Sequence, residues 1–300
     1  MSALEHAKAM GVEAVMEKTA AAGIKEYGVY HRDLAEKWKE ILREAEGPVK
    51  VGAALNNSDT ARVLLGMLET DLEKILDGID VTAYVLGAEE KILQLPEEEE
   101  ALKEKIAPEA EKHGISVVNA FVKVREYRGH ALHHIETMAA VADLMNDSYE
   151  PGVHIAVCRE GKTGELKKVP FGTRLADAAD LSGAKAVEVG SHLYTPGAAQ
   201  ELVIDGDLNT GNGVITVIPE SACLMQEGEA RLLASRKNGC GKCTFCREGL
   251  YQLYAHMTDI TSGKGKKEGL DMMKEIGEAM EFSCACSVGT TGADFALDSM

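Results

Sequence analysis

Three cysteines spaced three residues apart, Cys240, Cys243 and Cys246, constrain this chain more than any other feature. A C-x2-C-x2-C segment makes a turn compact enough to aim three thiolates at one inorganic centre. Gly241 lets the backbone pass close to that centre, and N–H groups in such a loop can donate to its sulfur atoms. Cys284 and Cys286 are the only later candidates for a fourth ligand. Tetrahedral zinc usually takes its thiolates as two C-x2-C pairs. A triplet with one remote partner suits a [4Fe–4S] cube better, with zinc and a purely structural thiol cluster as the competing readings. Cys158, in a strand pattern, and Cys223, near a helix start, read as small buried residues. Seven cysteines, an odd number, five of them at position 240 or beyond, argue against a disulfide framework.

Charge narrows the partners. The 300 residues hold 32 Lys and Arg against 49 Asp and Glu, a net charge of −17. Such a surface repels phosphate backbones and anionic headgroups, so broad nucleic-acid or membrane-surface binding is excluded as a function. No apolar run approaches the ~20 residues of a membrane span. MSALEHAKAMG lacks the basic-then-apolar order of a signal peptide, so a cytoplasmic, folded protein is expected.

Periodicity divides the chain. Residues 1–46 read as helices, with Val12, Val15, Met16, Leu34, Trp38, Ile41 and Leu42 at helical spacing. Strands are expected at 50–55, 81–86, 92–95 and 115–124, with a helix over 60–77 and another opened by Pro96 through the acidic run 97–100. This alternation makes 1–130 an α/β layer. After Pro151-Gly152 the pattern changes. A hairpin over 153–157 and 166–169, a helix over 174–181 and a strand over 186–189 suggest a small α+β module. A further strand is expected over 214–218, and helices from about 220 to the end. The Lys264–Lys267 cluster reads as a solvated loop. His130, His133 and His134 lack the partner pattern of a zinc site, and no phosphate-binding or nucleophile motif is present.

The segment Cys240 to Gly249, with its remote Cys, resembles the NADH-binding flavoprotein subunit of complex I and its relatives in soluble hydrogenases and formate dehydrogenases. That family carries S-C-G-K-C-x-P-C-R-E-G and, further on, C-x-L-G-x-T-A. Here the second motif stands as Cys286-Ser287-Val288-Gly289-Thr290-Thr291-Gly292, and Phe245 replaces a proline. The register implies Cys286, rather than Cys284, as the fourth ligand. His133-His134-Ile135-Glu136-Thr137-Met138 is similar to the family's N-N-V-E-T-L, residues 151–192 to its small β-grasp module, and 211–225 to the strand and acidic turn ahead of its helices.

The first half departs from that pattern. The family's glycine-rich loop, whose amides reach the FMN phosphate and ring, corresponds to Ala22–Trp38. Between its ends only Gly28 survives as glycine in Glu26–Ala35, and Glu26 and Asp33 add negative charge near where a phosphate would lie. N-A-D-E has become Asn56-Asn57-Ser58-Asp59, and the nucleotide-pocket segment C-G-E-E-T-A-L is missing between Ile115 and Arg125. Together these losses imply that FMN and NADH binding have been abandoned.

The resemblance therefore implies a degenerate FMN/NADH-type α/β domain (1–130), a β-grasp (SLBB-like) module with its lead-in helix (131–195), a connecting segment (196–235) and a helical [4Fe–4S] domain (236–300). It implies an electron-transfer subunit of a multi-subunit oxidoreductase, with Cys240, Cys243, Cys246 and Cys286 holding one cluster; the flanking Lys242 and Arg247 read either as offsetting its negative charge or as solvated helix-end residues. No independent catalytic site is expected. Implied partners are other redox subunits, such as a thioredoxin-like [2Fe–2S] protein and a catalytic hydrogenase, dehydrogenase or flavoprotein subunit. The alternatives are an FMN-containing NAD(P)H-oxidising subunit with an altered pocket and a non-redox assembly module with a structural cluster.

Overall fold

In the computed structural model, which describes residues 1–300, helices α1 (Ala3–Met10), α2 (Val12–Ala22) and α3 (Leu34–Glu44) precede β1 (Val49–Ala54). A 3-10 turn at Val63–Gly66 leads to α4 (Met67–Thr70), α5 (Leu72–Leu86), β2 (Ala88–Leu95), α6 (Glu100–Lys112) and β3 (Ser116–Asn119). A second 3-10 turn, Val124–Tyr127, precedes β4 (Ala131–His134) and α7 (Ile135–Met145). The sheet order is β3-β2-β1-β4, all parallel, with Ala53 paired to Leu93 on one side and His133 on the other. β1, Val-Lys-Val-Gly-Ala-Ala, is almost wholly buried, as parallel strands covered on both faces are. The chain steps outward from β1 to β3 and then returns to the far side of β1 for β4. That reversal opens a crevice beyond the carboxyl ends of β1 and β4, where open α/β sheets bind ligands.

Three expectations fail here. Residues 81–86 form the end of α5, not a strand. From Gly78 onward this helix is buried nearly all round, against α7 above all, so residues 81–86 form one apolar run without a polar face. A Cβ at Gly78 would come within 1.9 Å of the Met138 carbonyl, so the two helices touch through that glycine. Pro96 begins a turn, and the helix starts only at Glu100. The strand expected over 115–124 is four residues long, and the chain then turns toward the cysteine helices.

The second module comprises β5 (Gly152–Arg159), β6 (Lys162–Thr163), β7 (Lys167–Pro170), β8 (Thr173–Arg174), α8 (Leu175–Ala178), β9 (Ala184–Val189), β10 (His192–Tyr194), α9 (Pro196–Glu201), β11 (Val203–Ile204) and β12 (Val214–Pro219), with β8 and β11 paired as a separate two-stranded sheet. β12 runs parallel to β5 and antiparallel to β9, while β7 makes an antiparallel hairpin with the first half of β5. The strand expected over 214–218 is β12, and it joins this sheet at its centre from within the stretch 196–235 read as a connecting segment, while the helix expected over 174–181 shrinks to one turn.

Helices α10 (Leu224–Asn238), α11 (Thr244–Thr261), α12 (Lys267–Ser283) and α13 (Ser287–Asp298) form a bundle with its own core of Leu232, Leu250, Leu253, Met257, Met273 and Met280. A separate, larger core runs beneath both sheets. The bundle is tied to the second sheet by Arg231, which donates to both carboxylate oxygens of buried Glu188 at 2.7 and 2.6 Å and lies over the Phe295 ring. No helix is long and apolar enough to cross a membrane.

Candidate iron–sulfur site and the adjoining crevice

The loop between α10 and α11 presents Cys240 at the surface, with Cys243 and Cys246 buried and Cys284 and Cys286 partly buried. Cys243 occupies the N-cap of α11 and Cys286 that of α13, and neither helix start has a side-chain cap. In α13 the Val288 N–H is drawn to Cys286 and the Ser287 N–H to Tyr30, the first turn of α11 has no side-chain acceptor, and the positive ends of both dipoles favour negative charge beside these thiols. Gly241 adopts the left-handed φ of +69° that the tight turn requires. α13 reaches the thiols through Gly289, where a Cβ would lie 2.4 Å from Cys284 Sγ and 3.3 Å from Cys246 Cβ. The structure thus gathers all five cysteines, the triplet and the remote pair, at one end of the bundle. Cys246 shares a hydrogen bond with Cys284, which together with burial pushes its thiol up. Burial also raises the Cys286 thiol, against the pull of the Val288 N–H and Asn57. A soft thiolate donor set at two helix N-termini fits an iron–sulfur cluster.

Two cations expected to offset the cluster's charge behave differently. Arg247 donates to the Gly241 carbonyl at 3.0 Å and pairs with Glu248, so it staples the loop, while Lys242 is exposed. The guanidinium that reaches a cysteine sulfur is Arg125, whose Nη2 donates to Cys243 Sγ at 3.5 Å. It arrives from the 3-10 turn after β3, and nothing in its local sequence marks it. Arg125→Gln should lower the cluster's midpoint potential. An exposed charge at this range contributes about 1 kcal/mol, on the order of 40 mV for one electron. A redox titration followed by EPR reads the shift, and an unchanged potential would contradict the role.

Beside Cys286, at the switch point of the first sheet, lies a half-open crevice of about 430 Å³. Asn56 and Asn57 follow β1, His133 and His134 end β4, and Tyr27, Tyr30 and Tyr127 add aromatic walls. Its floor is a buried polar network. The Glu26 carboxylate accepts from the His134 N–H at 2.8 Å and the Thr137 hydroxyl at 2.7 Å. It also accepts from His133 Nδ1 and Lys37 Nζ, both at 2.6 Å. Burial alone would raise this carboxyl, but Lys37 and His133 hold it well below the usual carboxylate range. Glu26 therefore occupies the N-terminus of α7, where a helix following a parallel strand ordinarily receives an anion. Asp33, expected near the same place, instead caps α3 by accepting from the Glu36 N–H at 2.9 Å.

The imidazole tautomers follow from their partners. Trp38 Nε1 donates to His133 Nε2 at 3.1 Å, so His133 Nδ1 carries the proton given to Glu26. The Glu136 N–H donates to His134 Nδ1 at 3.3 Å, so His134 Nε2 carries its proton. Burial keeps both rings neutral by lowering their pKa values. Below pH ~6.5 the unfolded chain takes up protons that the folded chain refuses, so stability falls as pH drops through that value. Burial raises Asp59 to about 6 and Asp294 above its ordinary range, and the hydrogen bond with Asp298 raises His192, so these three groups oppose the contribution of the two buried rings. Compared with wild type, His134→Asn, which can still cap α7, should lose less melting temperature between about pH 7.5 and 5.5, because it removes one of the two rings whose protonation favours the unfolded chain. An unchanged slope would show that His134 does not contribute to it.

Among the smaller expectations, Cys223 is exposed rather than buried, Cys158 is partly buried, and Lys264–Lys267 lies in the exposed approach to α12.

Comparison with known proteins adds to this geometry. The family model for the NADH-ubiquinone oxidoreductase-F iron–sulfur binding region matches residues 230–300. The chain is 29% identical over 151 residues to the NADP-reducing hydrogenase subunit HndC of Solidesulfovibrio fructosivorans, covering 45% of this chain and 31% of that protein. It is 26% identical over 141 residues to an NADH-quinone oxidoreductase subunit of Streptomyces coelicolor, covering 42% of this chain and 31% of that one. It thus spans less than half the length of these curated relatives. An NAD+-reducing [NiFe]-hydrogenase crystal structure in the H2-reduced state superposes with a TM-score of 0.81 at 19% identity, covering 99% of this chain and 62% of that chain, which shows a shared fold. Residues 230–300 are an iron–sulfur binding region that takes a [4Fe–4S] cluster, and the chain carrying it is similar to subunits of an NADP-reducing hydrogenase and of NADH-quinone oxidoreductases.

Proposed function

We propose that this chain is a cytoplasmic electron-transfer subunit of a multi-subunit oxidoreductase, relaying single electrons through one [4Fe–4S] cluster, with FMN and NADH binding lost. Cys240, Cys243, Cys246 and Cys286 are the ligands in this reading. The cluster supplies reversible one-electron chemistry when bound. The protein supplies the thiolates, the amides of two helix starts and the guanidinium of Arg125. The exposed edge at Cys240 gives an electron a way out to a partner. The middle module is read as a β-grasp unit, supported by the order β7-β5-β12-β9-β10 around its sheet.

The observation that carries the loss of flavin is Glu26. Its carboxylate already takes the donors a phosphate would need, namely Lys37 Nζ, His133 Nδ1, the His134 N–H and the Thr137 hydroxyl, so an anion entering this corner finds them spent. Tyr27 and His31 fill the same loop, with Tyr27 donating its hydroxyl to the Gly152 carbonyl at 2.7 Å and His31 bonding the Gly206 carbonyl. Partners would be redox subunits of the kinds the curated relatives belong to.

Anaerobically purified protein tests this. Dithionite should bleach the cluster absorbance and produce a one-electron EPR signal, while NADH should do neither. Reduction by NADH in the presence of FMN would overturn the reading, and a cluster that never changes oxidation state would favour a structural role.

A further inference from the structure

A second set of donor side chains gathers where α5 begins and α6 ends, and none of them belongs to the crevice or to the cysteine bundle. Glu73 stands in the first turn of α5. Glu109 lies in the last turn of α6, and His113, four residues on, caps that helix on the same face. Their ligand atoms all lie within 4.8 Å of one another, with His113 Nε2 3.7 Å from Glu73 Oε1. The imidazole is held from behind. Its Nδ1 meets Asp80 Oδ2 at 2.7 Å, and the other oxygen of that buried carboxylate accepts from Lys91 Nζ at 2.5 Å. Lys91 also donates to the His113 carbonyl. With the proton on Nδ1, the neutral ring turns its Nε2 lone pair toward the two glutamates. Three acceptors then share one space, and none has a donor to offer the others. Charge leads to the same place. Glu73, Asp77, Asp80 and Glu109 all have His113 as a neighbour, while Lys91 pairs with Asp80 and Lys112 with Glu109. Glu73 and Asp77 are left without an ammonium partner, which suits a doubly charged cation.

We propose that Glu73, Glu109 and His113 bind one divalent cation of the zinc kind, with Asp80 positioning the imidazole. Zinc takes imidazole and carboxylate donors at about 2.0–2.2 Å, which sets tetrahedral ligands roughly 3.4 Å apart. The separation of His113 from Glu73 is already close to that. Glu109 closes the remainder by rotating a partly exposed side chain. A carboxylate on the far nitrogen of a metal-binding histidine fixes its tautomer and strengthens it as a donor, which is the part Asp80 plays. Calcium and magnesium require about six or more oxygen ligands, which two glutamates and an imidazole do not supply. Three protein ligands leave the fourth position to water. The bound ion clasps the start of α5 to the end of α6, two helices that otherwise touch little.

Zinc chloride is the probe, titrated anaerobically into the cluster-loaded protein against a chromophoric chelator. One zinc per chain should bind while the cluster absorbance stays unchanged. X-ray absorption at the zinc edge should show only nitrogen and oxygen ligands, at about 2.0–2.1 Å, and no sulfur at about 2.3 Å. Glu73→Gln and Glu109→Gln, on side chains that reach solvent, should each weaken zinc about ten-fold or more. Asp80→Asn should weaken it about 10–100-fold through the ring's orientation. Zinc should also raise the melting temperature of wild type, and raise it less for Glu73→Gln at the same concentration. Melting without zinc serves as the folding check, and should Asp80→Asn not fold, the two glutamine variants decide. No zinc binding overturns the proposal. So does a sulfur-containing shell, which would put the metal on cysteines, and so does equal affinity in wild type and both glutamine variants. Each of these results leaves the iron–sulfur reading standing, because the two sites share no residue.

Discussion

Cys286→Ser should release the cluster or convert it to a form with fewer than the roughly four irons of a cube, while Cys284→Ser should leave it intact. Both residues lie near the triplet, so proximity does not choose between them. The helix ends do. Cys286 is the N-cap of α13, where the dipole and free N–H groups stabilise a thiolate. Cys284 is the C-cap of α12, and its own N–H donates to the Met280 carbonyl at 3.0 Å. A thiolate there faces the negative end of a helix. Iron and acid-labile sulfide assays with EPR of the two variants read the result, and the reverse pattern would assign the fourth ligand to Cys284.

Glu26→Ala should be the most destabilising substitution outside the hydrophobic core. It leaves Lys37 and His133 without their buried acceptor, along with the His134 N–H and the Thr137 hydroxyl. Breaking a buried charged network by removing one member costs about 3–5 kcal/mol. The same change empties the N-terminus of α7, so inorganic phosphate or sulfate should bind there and restore part of the loss. Thermal melts with and without phosphate measure both effects. The variant should gain a phosphate-dependent rise in melting temperature that wild type lacks. Equal responses in the two proteins would mean that Glu26 does not fill an anion site.

The cluster triplet was legible because ligation demands a fixed spacing of one residue type, and no helix or strand pattern imitates it. The remote cysteines were legible as candidates, but choosing between them by residue chemistry needed the helix caps. The loop at Glu26–Ala35 showed its lost glycines in the sequence. What replaced the phosphate did not show, because Glu26 meets Lys37 and His133 only after the sheet brings positions 26 and 133 together. Arg125 was missed for the same reason: its contact with Cys243 spans 118 positions of chain. Residues 81–86 misled because a helix buried on every side presents the same apolar run as a buried strand. β12 was legible as a strand over 214–218, but its central place in the sheet was not, since a central strand is defined by its two neighbours rather than by its own residues.

The most direct test counts three cofactor components in one anaerobic preparation: iron, acid-labile sulfide and flavin released on denaturation. About four irons and four sulfides per chain with no flavin is the predicted composition. Stoichiometric FMN, or zinc in place of iron and sulfide, would contradict it.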